Sequence, residues 1–268
     1  MARIADQRII VWCNSENHLS QTLIEAIHMA QVFEKELCLF AHFRRTRQKH
    51  VLEQKLSGML EVLKKKFPET EMSVLLLKGK LHTLMEKLGD PYNTILFCAG
   101  NRLTPSLLKA FYRSGFPFYF SKNAPDKPRN RFANILIPID FRNSTKEATL
   151  WGSYFGRFNN SEIYLLPASD RDPELKQKVD GLTGFIKKFY SSFLFHYRFI
   201  QTNTSSWNIH NEAARMASDY SLLIFTGSLN VSLIDLLTGP FEKRIVNKIS
   251  DCPVLLVNPQ KEMYVLCS

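Results

Sequence analysis

A stretch rich in small residues, TGSLNVSLIDLLTGP at positions 226–240, follows the apolar run Leu222–Phe225. Gly227 and Gly239 can adopt positive φ, and backbone N–H groups beside glycine can approach phosphate oxygens closely. The stretch therefore predicts a loop that opens onto a helix and could cradle a phosphate. Its apolar residues suit an alternative, in which the loop and a short helix pack onto a sheet.

The sequence contains none of the common catalytic motifs that we considered. It contains neither G-x-S-x-G nor G-x-x-x-x-G-K-[ST], and its seven histidines are scattered. His42 is singled out by position only, because it ends a predicted strand. We predict no catalytic residues, and an activity of weak ATP hydrolysis at most.

The five cysteines form no C-x-x-C pair, which argues against a disulfide framework and a zinc ribbon. We therefore predict no metal site. No segment approaches the roughly 20 apolar residues of a membrane span, and the first residues lack the apolar core of a signal peptide. These features predict a cytoplasmic protein.

Positive charge is concentrated in the first half of the chain. Of 35 Lys and Arg, 21 lie in residues 1–132 against 12 Asp and Glu, whereas residues 133–268 hold 14 against 13. The densest part runs from Arg44 to His50 and could contact nucleic acid or acidic lipid. No aromatic residues interleave with the charges as base stacking requires, so a solvated surface is favoured over nucleic acid.

The chain repeats one pattern at an offset of 126 residues. The strand-like run Ile9–Asn14 corresponds to Ile135–Asp140, and Leu37–Ala41 corresponds to Ile163–Leu166 with its following residue. Apolar strands alternating with helices predict parallel sheets covered on both faces. The sequence thus predicts an α/β fold with two tandem, doubly wound, five-stranded domains over residues 1–122 and 133–268, joined by a linker at 123–132.

The second copy resembles the universal stress protein family. The resemblance rests on Asp140 after the first strand, Gly227 and Ser228 after the fourth, a later Gly239, and the closing strand with Cys252-Pro253-Val254. The whole chain is similar to the tandem form of that family. The resemblance implies the sheet order 3-2-1-4-5 of adenine nucleotide alpha hydrolase-like folds, with a crevice where the order reverses.

In nucleotide-binding members of that family, the aspartate contacts adenosine and a loop G-x-x-G-x9-G-[ST] wraps the ribose and phosphates. Here Asn230 replaces the second glycine, Gly239 arrives one residue early, and Pro240 replaces the hydroxyl residue and removes an N–H. Asp140, Gly227, Ser228, Asn230 and Gly239 are the candidate residues for ATP or another adenine nucleotide.

The first copy departs further from the pattern. Asn14 takes the place of the aspartate, and the segment after Gly100 is about nine residues shorter than its counterpart. We predict that this degenerate domain does not bind ATP in the family manner. A small crevice remains, lined by Cys13, Asn14, His42 and Gly100, with Arg102 nearby.

The resemblance leads to a functional prediction: a non-catalytic regulatory or scaffold protein of the stress response with a degraded nucleotide site. Two alternatives stay open, an ATP-binding stress protein using the second domain and a polyanion binder using the basic first half. The family also implies that the two domains pack as a pseudo-dimer, with Phe118–Phe120 and Val254–Val257 as candidate contacts. A second copy of the chain or another protein is a further candidate partner.

Overall fold

The computed structural model describes residues 7–14, 19–122, 131–228 and 240–259. The chain divides into two compact units, with residues up to Ser121 in the first and residues 122–259 in the second. None of the described helices is both long enough and apolar enough to cross a bilayer.

Unit 1 is a five-stranded parallel sheet with helices in the crossovers. Its elements, in chain order, are β1 Arg8–Trp12, α1 Leu19–Phe33, β2 Glu36–Phe43, α2 Arg47–Lys66, β3 Met72–Lys78, α3 Leu81–Leu88, β4 Thr94–Cys98, α4 Pro105–Phe111 and β5 Phe118–Phe120. The strands pair in parallel in the order β3-β2-β1-β4-β5. This confirms the predicted 3-2-1-4-5 order for the first unit.

Unit 2 repeats the arrangement. Its elements are β6 Asn134–Ile139, α5 Thr145–Asn159, β7 Glu162–Pro167, α6 Pro173–Tyr190, β8 Tyr197–Phe199, α7 Ile209–Met216, β9 Leu222–Thr226, α8 Phe241–Lys248 and β10 Val254–Val257. The order is β8-β7-β6-β9-β10, again 3-2-1-4-5, and the pairs are parallel.

The strands that follow the order reversal in each unit lie in its core. Every residue of β4, β9 and β10 is buried, as expected for strands covered by helices on both faces. Because both faces of these strands are buried, their sequences are apolar at consecutive positions and do not alternate with polar residues.

The order reverses between β6 and β9 in unit 2. These two strands pair near their starts, through Ile135 with Leu222 and Leu136 with Leu223. Parallel strands that part beyond such a pairing open a crevice at their carboxyl ends. Asp140 follows β6, and Gly227 follows β9, so both residues border that crevice.

Candidate functional site

Asp140 lies at the carboxyl end of β6 and is buried, with 3% of its surface exposed. Its Oδ1 accepts a hydrogen bond from Thr145 Oγ1 at 2.7 Å and one from the Arg142 backbone N–H at 2.8 Å. Thr145 begins α5, so the turn between strand and helix holds the carboxylate in place. The predicted site residue is therefore well fixed, but its contacts are internal.

The Arg142 side chain lies in the crevice in front of Asp140. Its Nε donates to Asp140 Oδ2 at 2.6 Å, and its Nη2 lies 2.6 Å from the same oxygen. The guanidinium also donates to the carbonyl oxygens of Thr226 at 3.2 Å and Gly227 at 3.3 Å. One side chain thus joins the ends of β6 and β9 across the order reversal, with a fork geometry suited to carboxylate.

The charge of Asp140 is stabilised by its neighbours. Burial alone would raise the pKa of this carboxyl, but nearby His210 and Arg142 and the hydrogen bond from Thr145 outweigh it, so that the pKa is lowered. Asp140 is ionised at neutral pH. The crevice consequently holds an ion pair whose carboxylate is buried.

His210 forms the third side of this cluster. It lies in the first turn of α7, is 8% exposed and packs edge-on against Phe225 and Phe241, with ring centroids 5.6 and 5.3 Å away. Burial lowers the pKa of His210 to about 4. The imidazole is therefore neutral at pH 7, and its Nε2, 3.3 Å from Arg142 Nη2, can accept a guanidinium hydrogen bond.

Glu242, in the first turn of α8, occupies the anion-favouring end of that helix. Its carboxylate is fully buried, and its Oε1 accepts from the Ser228 backbone N–H at 2.6 Å and from Ser228 Oγ at 2.5 Å. Phe241, beside it, lies under the Arg142 guanidinium at 5.2 Å. The chain thus brings its own carboxylate to the predicted phosphate-binding residue.

The backbone of Gly227 is also engaged within unit 2. Its N–H donates to the Val257 carbonyl at 3.0 Å, and its carbonyl accepts from Arg142. Gly227 and Ser228 lie where the sequence places them, at the end of β9. Asn230 and Gly239 lie outside the described residues, so their predicted roles stay predictions.

Arg142, His210 and Glu242 are the site residues that sequence reasoning missed. An arginine two positions after the aspartate is a local signal, and a glutamate in the first turn of a predicted helix is another. His210 carries no such signal, because it is 70 residues from Asp140 in sequence and is brought near it by the fold alone.

The corresponding end of unit 1 is held by neutral groups. Asn14 Nδ2 donates to the His42 carbonyl at 2.7 Å, and Asn14 Oδ1 accepts from the His42 N–H at 2.8 Å. The amide thereby ties β1 to β2. His42 stacks on Trp12 at 6.2 Å and contacts the Gly79 carbonyl through Nδ1 at 3.1 Å. Burial lowers its pKa, so the ring is neutral at pH 7.

The structure brings together only some of the residues that were predicted to line the crevice of unit 1. Asn14 and His42 line an open pocket of about 410 Å³ with Phe43, Arg44, Arg45 and Gln48. Cys13 is fully buried, and burial raises its pKa to about 12. Among the residues that the structure describes, no three His, Cys, Asp or Glu side chains group closely enough to hold a metal ion.

Solved structures share this fold over nearly the whole chain. A universal stress protein from Archaeoglobus fulgidus matches with a TM-score of 0.71 at 13% identity, covering 95% of this chain and 99% of that one. A functionally unknown protein from Pseudomonas aeruginosa matches at 0.60 and 13%, covering 96% and 94%. The cytoplasmic domain of a prokaryotic cation chloride cotransporter matches at 0.59 and 11%, covering 96% and 97%.

No protein-family model matches the sequence, and no curated protein matches it. At 11 to 13% identity, the structural likeness establishes the fold, which is that of the universal stress proteins. The resemblance drawn from the two sequence repeats is therefore confirmed at the level of the fold.

Proposed function

We propose that this chain is a non-catalytic regulatory or scaffold protein of the stress response, whose second unit has a nucleotide crevice closed by its own charged side chains. One observation carries the proposal: the Arg142 guanidinium holds Asp140 and the two carbonyls at the end of β9. A ribose hydroxyl could reach Asp140 only by displacing a charged hydrogen bond, and such bonds contribute about 1.5–3 kcal/mol.

Glu242 adds a second obstacle to nucleotide binding. It takes the Ser228 N–H and Oγ–H, which are donors that a phosphate would need. A phosphate about 4 Å from a buried carboxylate is repelled by about 4 kcal/mol at an effective dielectric constant of about 20. That corresponds to roughly a thousandfold in affinity.

Calorimetric titration with ATP and magnesium tests this function. We expect no saturable binding by the unaltered chain up to roughly millimolar nucleotide, and no ATP hydrolysis. Glu242→Gln keeps an acceptor oxygen for Ser228 but removes the charge, so nucleotide affinity should rise. Glu174→Gln is the matched control, because the Glu174 side chain is 76% exposed and pairs with Lys178 on α6.

Two results would count against closure of the crevice. Tight, saturable ATP binding by the unaltered chain would favour the alternative of an ATP-binding stress protein that uses unit 2. An affinity that is the same for Glu242→Gln and the unaltered chain would show that the carboxylate is not what excludes phosphate.

A polyanion-binding role has its own supporting observation. Arg44, Arg45 and Arg47 are exposed, and their guanidinium groups make no ion pair within the described part of the chain. Phosphate contacts weaken as salt rises, so binding to single-stranded RNA should fall steeply with ionic strength. Replacing the three arginines by glutamate should abolish it, and unchanged binding would dismiss this role.

A further inference from the structure

Unit 2 carries a continuous row of aromatic side chains that are partly or largely exposed. The row runs from the end of α6 through the following turn into β8, with ring centroids 5.2 to 6.3 Å apart. Its members are Phe185, Phe189, Phe193, Phe195 and Tyr197, and we call it the aromatic row. Phe185 is 47% exposed, and Leu194, in the turn, is fully exposed at 102%.

The turn that presents Leu194 is anchored on both sides. The Phe195 ring packs on Gly156 of α5, so closely that a Cβ there would lie 2.6 Å from a ring carbon. Phe195 also meets the ring of buried Tyr190 at 4.9 Å, and Tyr190 donates to the Thr149 carbonyl at 2.6 Å. The exposed leucine therefore projects from a fixed base.

Cations surround the aromatic row. The Arg157 guanidinium lies 4.6 Å from the centre of the Phe193 ring, and Lys146 Nζ lies 4.6 Å from that of Phe185. Lys187 and Lys188, in the last turn of α6, are exposed. The sequence has no Asp or Glu from residue 181 to residue 211. The charge that complements this surface is therefore negative.

Glu162 of β7 lies on the opposite face of the sheet from the aromatic row, because it shares its face with Tyr164 and Arg198, and it is already paired. Its Oε1 accepts from Arg198 Nε at 2.5 Å and its Oε2 accepts from Tyr164 at 2.7 Å. The Glu162 carboxylate therefore does not neutralise Lys187 and Lys188, and neither lysine forms an ion pair within the described residues.

We propose that this surface binds the headgroup region of an anionic lipid bilayer, with Leu194 inserted, the exposed edges of the aromatic row at the interface and the lysines on phosphates. Exposed apolar tips with aromatic rings and cations beside them suit the membrane interface. This role goes beyond the proposed function and depends on unit 2 alone.

Vesicle sedimentation tests the proposal with the full chain. We expect binding to vesicles of equal parts phosphatidylserine and phosphatidylcholine, and much weaker binding to phosphatidylcholine alone. Leu194→Glu should weaken binding by about tenfold or more, since it removes a fully inserted leucine. Val62→Glu is the matched control, because Val62 is 65% exposed on α2 of unit 1 and should leave binding unchanged.

Reversing the charge of the lysines provides a second, independent test of vesicle binding. Each cation near an anionic membrane surface contributes about fivefold in affinity. Lys187→Glu with Lys188→Glu should therefore weaken binding by more than tenfold. The same change at Lys64 and Lys65, in the last turn of α2, should have little effect. Circular dichroism of each variant confirms that it is folded.

Three outcomes would overturn the proposal. One is equal sedimentation of Leu194→Glu and the unaltered chain. Another is loss of binding through the Lys64 and Lys65 change in place of the Lys187 and Lys188 change. The third is an absence of vesicle binding; Leu194-dependent dimerisation in analytical ultracentrifugation would then make this surface a protein contact.

Discussion

Replacing Arg142 by methionine tests how unit 2 is held together at its order reversal. Methionine keeps most of the volume of the side chain but removes the guanidinium. Asp140 would keep its hydrogen bonds from Thr145 and from the backbone N–H of residue 142, but it would lose its charged partner. The carbonyls of Thr226 and Gly227 would each lose a donor.

The magnitude follows from burial. Two unit charges about 4 Å apart attract by about 4 kcal/mol at an effective dielectric constant of about 20. Removing one partner of a buried pair usually costs about 3–5 kcal/mol. The Arg142 side chain is 25% exposed and that of Asp140 is 4% exposed, so solvent screens the pair in part. We therefore expect the free energy of unfolding to fall by about 3 kcal/mol at pH 7.

Urea unfolding followed by tryptophan fluorescence measures this loss, because buried Trp151 reports on unit 2. The deficit should shrink as pH falls. Without the guanidinium, the pKa of Asp140 rises, so its carboxyl takes up a proton earlier than in the unaltered chain, where the pKa is lowered. The double variant Asp140→Asn with Arg142→Met should recover part of the stability, since it buries no charge.

A loss below about 1 kcal/mol in Arg142→Met would refute this reasoning, because exposed ion pairs contribute no more than that. So would a double variant that is no more stable than the single one. Either result would mean that the guanidinium lies in solvent and leaves the crevice open.

Three further substitutions test other contacts. His210→Gln should weaken the pH dependence of unfolding: the pKa of this histidine is about 6.5 in the unfolded chain and about 4 in the folded one, so His210 by itself lowers stability by about 2 kcal/mol from pH 7 to pH 5, and urea titrations of the variant should lack that share. Gly156→Ala should destabilise by about 1–3 kcal/mol through its clash with Phe195, whereas Gly181→Ala, with open space around it, should be neutral or stabilising in thermal unfolding. Asn14→Asp should destabilise by about 1–3 kcal/mol, because it loses the donor to β2, and an unchanged urea midpoint would contradict this.

The fold was accessible from the sequence because a buried parallel sheet leaves a local signature. The runs at Ile9 and Ile135 are apolar without alternation, and the structure makes them β1 and β6. In both copies the next strand follows at the same distance, and this equal spacing indicated the repeat. Since the order reversal follows from the fold, the position of Asp140 beside a crevice could also be predicted.

The state of the crevice could not be predicted from the sequence. Whether Arg142 turns into the crevice or out to solvent depends on carbonyls that lie more than 80 residues away. Glu242 reaches Ser228 across 14 positions of chain. The sequence predicts that the N-terminus of α8 is a positive end that could bind an anionic ligand. In the structure, the carboxylate of Glu242 already occupies this position.

All four cysteines within the described residues are buried. Burial raises the pKa of Cys13 to about 12 and that of Cys38 to about 11, so both stay as unreactive thiols while the fold is closed. Alkylation then requires local or global opening. Cys13, Cys38 and Cys98 report on unit 1, and Cys252 on unit 2. Pulsed alkylation with iodoacetamide, followed by peptide mass spectrometry, would therefore measure the opening rate of each unit through its own cysteines.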